Sequence, residues 1–432
     1  MPTRRDFHRL TVGAAAGAAV PVTLWPGTIA QAAPVPGPGA VITVEETATQ
    51  VVVDNGPVRL VIGKANNGRA TSLRFNGQEL MANGGMGYYD VNSEALGTPV
   101  PLPPTVAAYS VRQGPDFVDV ACTIGPTAGG PFTTVRHYIV RAGEPGIHLA
   151  TEFHHTPDAH GFRAAQHRFV LRVDPTLFTH ASVEDDAVGA PWRAAAAVLP
   201  TPAELRAAPE VMDATDDLAG LGSAYPRRYY TKYDWAVYLK DHRVHGLYGN
   251  GYGVWAVLAN LEAFAGGPTR QDLTLHQTNT TPVLLVEPQA THYGSPAIEV
   301  NGAWSKTYGP YYLHLNTGTD PAAMRADALR HADPKCHREF YDRVALPGWV
   351  PSADRVTVTG RVRIPGRHNM AGAVAVLSDN HVDFQRTVHG YQYWADVNVS
   401  GSFRLSGVRP GTYRLSVYRP GVWGEYVRDD VV

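Results

Sequence analysis

Residues 227–246 gather more reactive side chains than any other stretch of the chain. The run is Arg-Arg-Tyr-Tyr-Thr-Lys-Tyr-Asp-Trp-Ala-Val-Tyr-Leu-Lys-Asp-His-Arg-Val-His-Gly. Two of the five lysines in the chain, Lys232 and Lys240, fall here beside four tyrosines and two histidines. Aromatic faces stack on pyranose rings, and Lys or Arg pairs with a uronate carboxylate. A neutral imidazole is available near pH 7 to take a proton. The composition therefore suits a site for an acidic sugar. Extended backbone over 230–237 would put Tyr230, Lys232, Asp234 and Ala236 on one face, with Thr231 and Tyr233 on the other. The competing reading is an edge ribbon of packing tyrosines and solvated charges.

Other constellations are weaker. His154, His155, His160 and His167 cluster without an ordered ligand spacing, and strand or surface histidines account for them. Glu184, Asp185 and Asp186 offer a glycosidase-type carboxylate but no identifiable partner. The glycines at 249–253 and 266–268 do not join a strand to a helix that opens with Lys-Ser/Thr, so no phosphate cradle is expected. No Gly-x-Ser-x-Gly elbow is present. The two cysteines, Cys122 and Cys336, exclude a disulfide-stapled scaffold and a four-cysteine zinc site. Whether they pair with each other stays open. No metal and no cofactor is expected; calcium is conceivable but nothing indicates it.

The elements that position these residues read as β-structure. Gly and Pro number 43 and 34 in 432 residues, and only 18% of residues are charged. That is a turn-rich globular composition, without the charge of a disordered chain or a coiled coil. Period-two runs recur at 58–62, 117–120, 167–173 and 355–364, with turn residues about every ten positions, as in an antiparallel sandwich. Two helices are expected, a short one over 202–209 and a better one over 320–331, where Asp320 caps and Pro321 takes the first helical position. A net charge of −2 gives no basic surplus for nucleic acid or an anionic membrane. Residues 1–32 carry Arg4-Arg5, Phe7, a weakly apolar Ala/Gly stretch and Ala30-Gln31-Ala32, the pattern of a twin-arginine export signal. Residues 33–40 read as a Pro/Gly leader. A large domain over 41–346 and a small sandwich over 347–432 follow, split at the Pro-Gly-Trp-Val-Pro segment. The mature chain is expected to be a secreted monomer.

Several segments, in order, resemble the rhamnogalacturonan endolyases of polysaccharide lyase family four. They are the 68–80 hairpin, Gly87-Tyr88-Tyr89-Asp90-Val91-Asn92, the strands at 136–141 and 166–169, the 232–246 ribbon, 266–274, 290–294 and 304–310. The resemblance implies an all-β fold: a large antiparallel super-sandwich of the galactose-mutarotase type followed by a small fibronectin-III-like sandwich. It also implies a third, jelly-roll domain, which would begin where this sequence stops. The sequence departs from the pattern at Gln166-His167-Arg168. It also has no lysine between Lys64 and Lys232 to match the family's upstream catalytic lysine; Arg163, Arg168 and Lys232 are the cations that stand in its place.

The implied reaction is β-elimination at a 4-linked galacturonate. A cation neutralises the carboxylate so that charge developing at C5 is stabilised, and a base removes the C5 proton. In these roles we expect His245 as base, Lys232 or Arg168 as the neutralising cation, and Tyr238 or Tyr233 as donor to the leaving oxygen. Tyr230, Tyr233, Lys240, Arg168, Arg136 and Tyr89 are expected to bind substrate. A lyase for another rhamnose–uronate linkage and a non-catalytic carbohydrate-binding protein of the same fold remain alternatives. A glycoside hydrolase is disfavoured by the lack of a carboxylate pair.

Overall fold

The computed structural model describes residues 41–82, 87–95, 97–183, 197–364 and 369–432. The 1–32 signal, the leader and Glu184–Asp186 lie outside the described residues.

Two antiparallel sheets face each other, as the period-two runs predict. Across the first sheet the strands run Thr43–Glu46, Gln50–Asp54, Val58–Gly63, Arg69–Phe75, Gly87–Ser93, Phe162–Arg172, Pro282–Ala290 and Leu275–Gln277. The second runs Ala197–Val198, His180–Ser182, Val244–Gly249, Tyr252–Val257, Trp304–Thr317, Gly146–His155, Thr133–Arg141, Phe117–Ile124 and Ala108–Gln113. One apolar core fills the space between them. Val51, Leu60, Leu73, Phe169 and Leu284 come from the first sheet, and Val120, Val140, Phe153, Leu247 and Leu313 from the second. The hairpin between Val244–Gly249 and Tyr252–Val257 turns at Asn250-Gly251, both at positive φ, which favours Asn-Gly.

The outer faces of the sheets differ. Helices Pro321–Leu329 and Arg338–Val344 cover the second. Met324 and Ala328 pack on Val244, Trp255 and Tyr312, and Phe340 and Val344 pack on Phe117 and Ile139. The first of these helices starts as its sequence dictates, with the Asp320 side chain accepting from Ala322 N–H and Pro321 next. A shorter helix, Pro202–Ala207, is fixed by a capping box between Thr201 and Glu204. On the first sheet, the described residues cover part of the outer face, where Leu273 packs on Val170, Val283 and Leu285. The remainder is the groove described below.

The C-terminal residues form strands Val356–Arg361 and Ser402–Val408, and a four-stranded sheet of Tyr393–Asp396, Val374–Asp379, Tyr413–Tyr418 and Tyr426–Val431. They enclose their own core of Ala375, Leu377, Phe403, Leu405, Leu415 and Val417. Cys122 and Cys336 are both free thiols, one buried and one exposed, so they do not pair.

Candidate active site

Strand alternation decides which side chains reach the open face of the first sheet. On Phe162–Arg172 these are Gln166, Arg168, Val170 and Arg172, while Phe169 and Leu171 enter the core. On the neighbouring Gly87–Ser93 strand, Tyr89 and Val91 point inward, which leaves Tyr88, Asp90 and Asn92 outward. The strand register sets Arg168 opposite Asp90. Arg168 grips Asp90 through Nε and Nη2 at 2.6 and 3.2 Å, and its Nη1 donates to Gln166 Oε1 at 3.0 Å. Burial disfavours the guanidinium charge, but Asp90 more than compensates and raises the Arg168 pKa.

Gln166 links this pair to a histidine. Its Oε1 accepts from both Asn92 and Arg168, which fixes the amide so that Nε2–H donates to His292 Nε2 at 2.7 Å. His292 is exposed at the groove. Partial burial of its ring, with Lys232 and Arg168 nearby, holds its pKa below the usual value. Tyr233 meets His292 edge-on at 6.2 Å and donates its hydroxyl to Asp213 at 2.6 Å. Lys232 sits over the Tyr233 ring at 4.9 Å, with Asp213 3.8 Å away. Further along, Arg69 stacks on Tyr88 at 4.8 Å, and Arg69, Tyr88, Asp90 and Arg172 line a cleft of about 270 Å³. Arg172 and Arg168 lie four residues apart on one strand, roughly 13 Å. The groove is therefore a line of cations interleaved with rings, which suits a run of acidic sugars.

Glu287 lies behind this surface and is fully buried, with no hydrogen bond to either carboxylate oxygen. Burial and the neighbouring Asp272 raise its pKa from 4.5 to about 8, against the opposing pull of Arg168 and Arg270. The folded protein thus keeps this proton up to about pH 8, while the unfolded chain releases it near the ordinary carboxylate pKa. Folding stability attributable to this group is therefore complete in acid and falls as pH rises through that window. Glu287→Gln cannot lose a proton. Relative to wild type, the variant is expected to gain on the order of 3 kcal/mol between pH 5 and pH 8. Urea unfolding at both pH values checks this; an equal difference at the two would refute it.

Several expected site residues fall elsewhere. The ribbon is not one strand. Strand Tyr229–Thr231 ends in a 3₁₀ turn, Lys232–Trp235, capped by Thr231 and Asp234, before Ala236–Tyr238 resumes. Tyr230, Lys232 and Asp234 therefore do not share a face. Tyr230 is buried with its hydroxyl donating to Gln277 O, and Asp234 accepts from Tyr225 and Arg227. The turn is also what swings Lys232 and Tyr233 toward His292.

His245 faces the space between the sheets and is 0% exposed. Its Nε2–H donates to Leu285 O at 2.6 Å, so its Nδ1 must accept from His242 Nε2–H at 2.8 Å. Both ring nitrogens are spent, and burial lowers its pKa to about 4. A ring with no access and no unused lone pair is not placed to act as a base. Arg136 is buried beneath the first sheet, donating to Asn67 O and Tyr89 O, and the Tyr89 hydroxyl shares a hydrogen bond with buried His167. Lys240 pairs with Asp241 and with Asp396 of the C-terminal sheet. Tyr238 is 60% exposed, and among the described residues no hydrogen bond or ring contact joins it to Lys232 or Arg168. Arg163 pairs with Glu94 and Glu299 at the surface. The rings of His154 and His155 are committed to Glu152 and Ser305 and to backbone carbonyls. Of the predicted residues, then, Arg168, Lys232 and Tyr233 come together. Gln166, Asp90 and His292 lie in segments that the family resemblance matched, but no spacing or residue pattern assigned them roles.

Sequence comparison bears on this arrangement. Residues 366–432 match "Polysaccharide lyase family 4, domain II", and residues 177–270 match "Probable rhamnogalacturonate lyase B middle domain". "Probable rhamnogalacturonate lyase C" of Emericella nidulans is 29% identical over 422 residues, 91% of this chain and 38% of that protein. "Rhamnogalacturonate lyase B" of the same organism is 28% identical over 91% of this chain and 61% of its own length. The chain thus spans about half the length of the curated relatives it matches. Among solved structures, a "putative aldose 1-epimerase" from Klebsiella pneumoniae overlaps 66% of this chain and 83% of its own, at 9% identity and a TM-score of 0.36. Two profile matches at separate places, together with relatives aligned along nine-tenths of its length, support a relationship of this chain to the rhamnogalacturonan lyases of polysaccharide lyase family 4.

Proposed function

We propose that the protein is a polysaccharide lyase that cleaves rhamnogalacturonan by β-elimination at a 4-linked galacturonate. The observation that carries this reading is the convergence of Arg168, Lys232, Tyr233 and His292 on the open face of the first sheet. Arg168, braced by Asp90, and Lys232 neutralise the uronate carboxylate. This stabilises the charge that builds at C5 as its proton leaves. His292 takes the place first given to His245. Burial of its ring and the cations beside it keep it neutral, and its Nε2, held by the Gln166 amide, takes the proton once substrate displaces that hydrogen bond. The C5–H bond breaks, its electrons form the C4–C5 double bond, and the C4–O4 bond breaks. Tyr233 donates the proton that O4 needs, and the proton that His292 took from C5 passes through solvent to restore the Tyr233 hydroxyl, which Asp213 orients. Tyr88 and Tyr233 offer their faces to the sugar rings.

Export follows from the twin-arginine pattern of residues 3–32. No helix among the described residues is long and apolar enough to cross a membrane.

Incubating the purified chain with rhamnogalacturonan tests the proposal. The expected product carries an unsaturated uronate end, visible as ultraviolet absorbance and as fragments lighter by one water than hydrolysis products. Saturated ends would identify a hydrolase. Binding without cleavage would leave a carbohydrate-binding protein. Cleavage of a different rhamnose–uronate polymer in preference to this one would reassign the linkage.

A further inference from the structure

Far from the groove, on the helix-covered face of the second sheet, three buried side chains converge. Glu144 comes from the turn before strand Gly146–His155, His148 from that strand, and His337 from the start of helix Arg338–Val344. Each can offer one ligand atom, and these atoms lie within 4.8 Å of one another. His148 Nε2 is 2.9 Å from Glu144 Oε2, and His337 Nδ1 is 3.8 Å from Glu144 Oε1. Ligands around one zinc-sized ion stand roughly 3.3 Å apart, given metal–ligand distances near 2.0–2.1 Å.

Two further features point to a ligand. His337 is 3% exposed, yet neither of its ring nitrogens makes a hydrogen bond. Buried polar groups are otherwise nearly always satisfied. Conversely, the far nitrogen of His148, Nδ1, is held at 2.9 Å by the Tyr341 hydroxyl. Outer hydrogen bonds of this kind orient a metal-bound imidazole. Tyr312 stacks on His148 at 4.6 Å and meets His337 at 4.8 Å, fixing both rings.

We propose that Glu144, His148 and His337 bind one transition-metal ion of the zinc class. Two imidazoles and a single carboxylate suit zinc, cobalt or nickel, whereas calcium and magnesium need more oxygen ligands. Three protein ligands leave a fourth position for water. His337 and Tyr341 also line a cleft of about 230 Å³ between the large sandwich and the C-terminal strands, which supplies an entry path. The site is independent of the lyase groove, so either proposal can fail without the other.

The test uses the full chain, stripped with a chelator and dialysed against zinc. About one zinc per chain is expected to be retained. The cobalt-loaded protein should show the visible bands of a site with nitrogen ligands. His337→Ala, which removes no hydrogen bond, should weaken zinc binding by at least about 100-fold. Cys336→Ser, beside the site, and His381→Ala, at the exposed Asp429–Asp430 group, should leave it unchanged. Failure of wild type to retain zinc, or equal retention by His337→Ala, would overturn the proposal. Should His337→Ala not fold, the cobalt spectrum of the wild type decides: no bands of nitrogen ligation would mean that the cluster is only a buried His–Glu ion pair.

Discussion

Lys232→Ala is expected to slow formation of unsaturated product by about 10²–10³-fold, the usual loss when one group that stabilises transition-state charge is removed. The melting temperature should stay within about 2 °C, since surface substitutions of this kind change stability by only a few tenths of a kcal/mol. Among the described residues Lys232 has only Asp213 as an ion-pair partner, at 3.8 Å, and Asp213 already accepts the Tyr233 hydroxyl. Little is therefore stranded when the amine goes. The contrast is with His245→Gln. That change breaks the chain from His242 through His245 to Leu285 O in a buried place. It should cost stability, on the order of 1–3 kcal/mol, and leave the turnover of the folded fraction nearly intact. Measuring initial rates and thermal melts for both variants separates the two roles. If His245→Gln abolished turnover in a fully folded protein while Lys232→Ala did not, the assignment of the groove would be wrong. Lys232→Arg, which keeps the charge, should recover part of the rate, and that recovery distinguishes loss of a cation from loss of packing.

The difference between these two residues also shows what the sequence could convey. Alternation located the strands around 167–173 and 356–361, and cap chemistry located the helix at 321–329, because those signals are local. The ribbon misled for a local reason as well. Thr231 and Asp234 reciprocally cap a 3₁₀ turn, and this Thr-x-x-Asp signature was legible. Reading the stretch as one strand kept Lys232 beside Tyr230, whereas the turn sends one to the groove and the other to the core.

Tyr88 and Tyr89 pose a different problem. Adjacent residues of one type carry no information about which faces inward, and only pairing across to Phe162–Arg172 settles it. The Glu144, His148 and His337 cluster is a third case. Its members come from segments almost 200 positions apart, joined where His148 lies opposite Tyr312 and the helix closes over both. No ligand spacing exists along the chain for such a set. What could be inferred from family likeness was the order of segments; which side of each strand carries chemistry had to come from the register.

The largest effect on stability is expected at Glu262, which joins the two sandwiches. It is buried, and three side chains converge on it. Arg355 donates at 2.7 and 3.2 Å, Arg409 at 3.0 and 2.7 Å, and the Tyr393 hydroxyl at 2.9 Å. The arginines are fixed on their other sides as well, Arg355 over Trp349 and Arg409 over Tyr391. They would remain buried if the carboxylate were lost. Glu262→Gln keeps the shape but leaves two guanidinium charges without a counter-charge, and a broken buried pair typically costs about 3–5 kcal/mol. The same knot makes a prediction for acid. Burial opposes ionisation of Glu262, but the two arginines outweigh it and lower its pKa from 4.5 to about 2. Above pH 4.5 the carboxylate is ionised in both folded and unfolded chains, and its full contribution is present. As pH falls from 4.5 toward 2, the unfolded state takes up the proton first and that contribution is lost. The wild type should therefore shed on the order of 3 kcal/mol across this window on account of Glu262, whereas Glu262→Gln, having no such group, should not. Urea unfolding of both proteins at pH 7 and pH 3 reads the difference: a wide gap at neutral pH that narrows in acid. A gap that stayed constant would mean that the arginines find other partners and that Glu262 does not hold the sandwiches together.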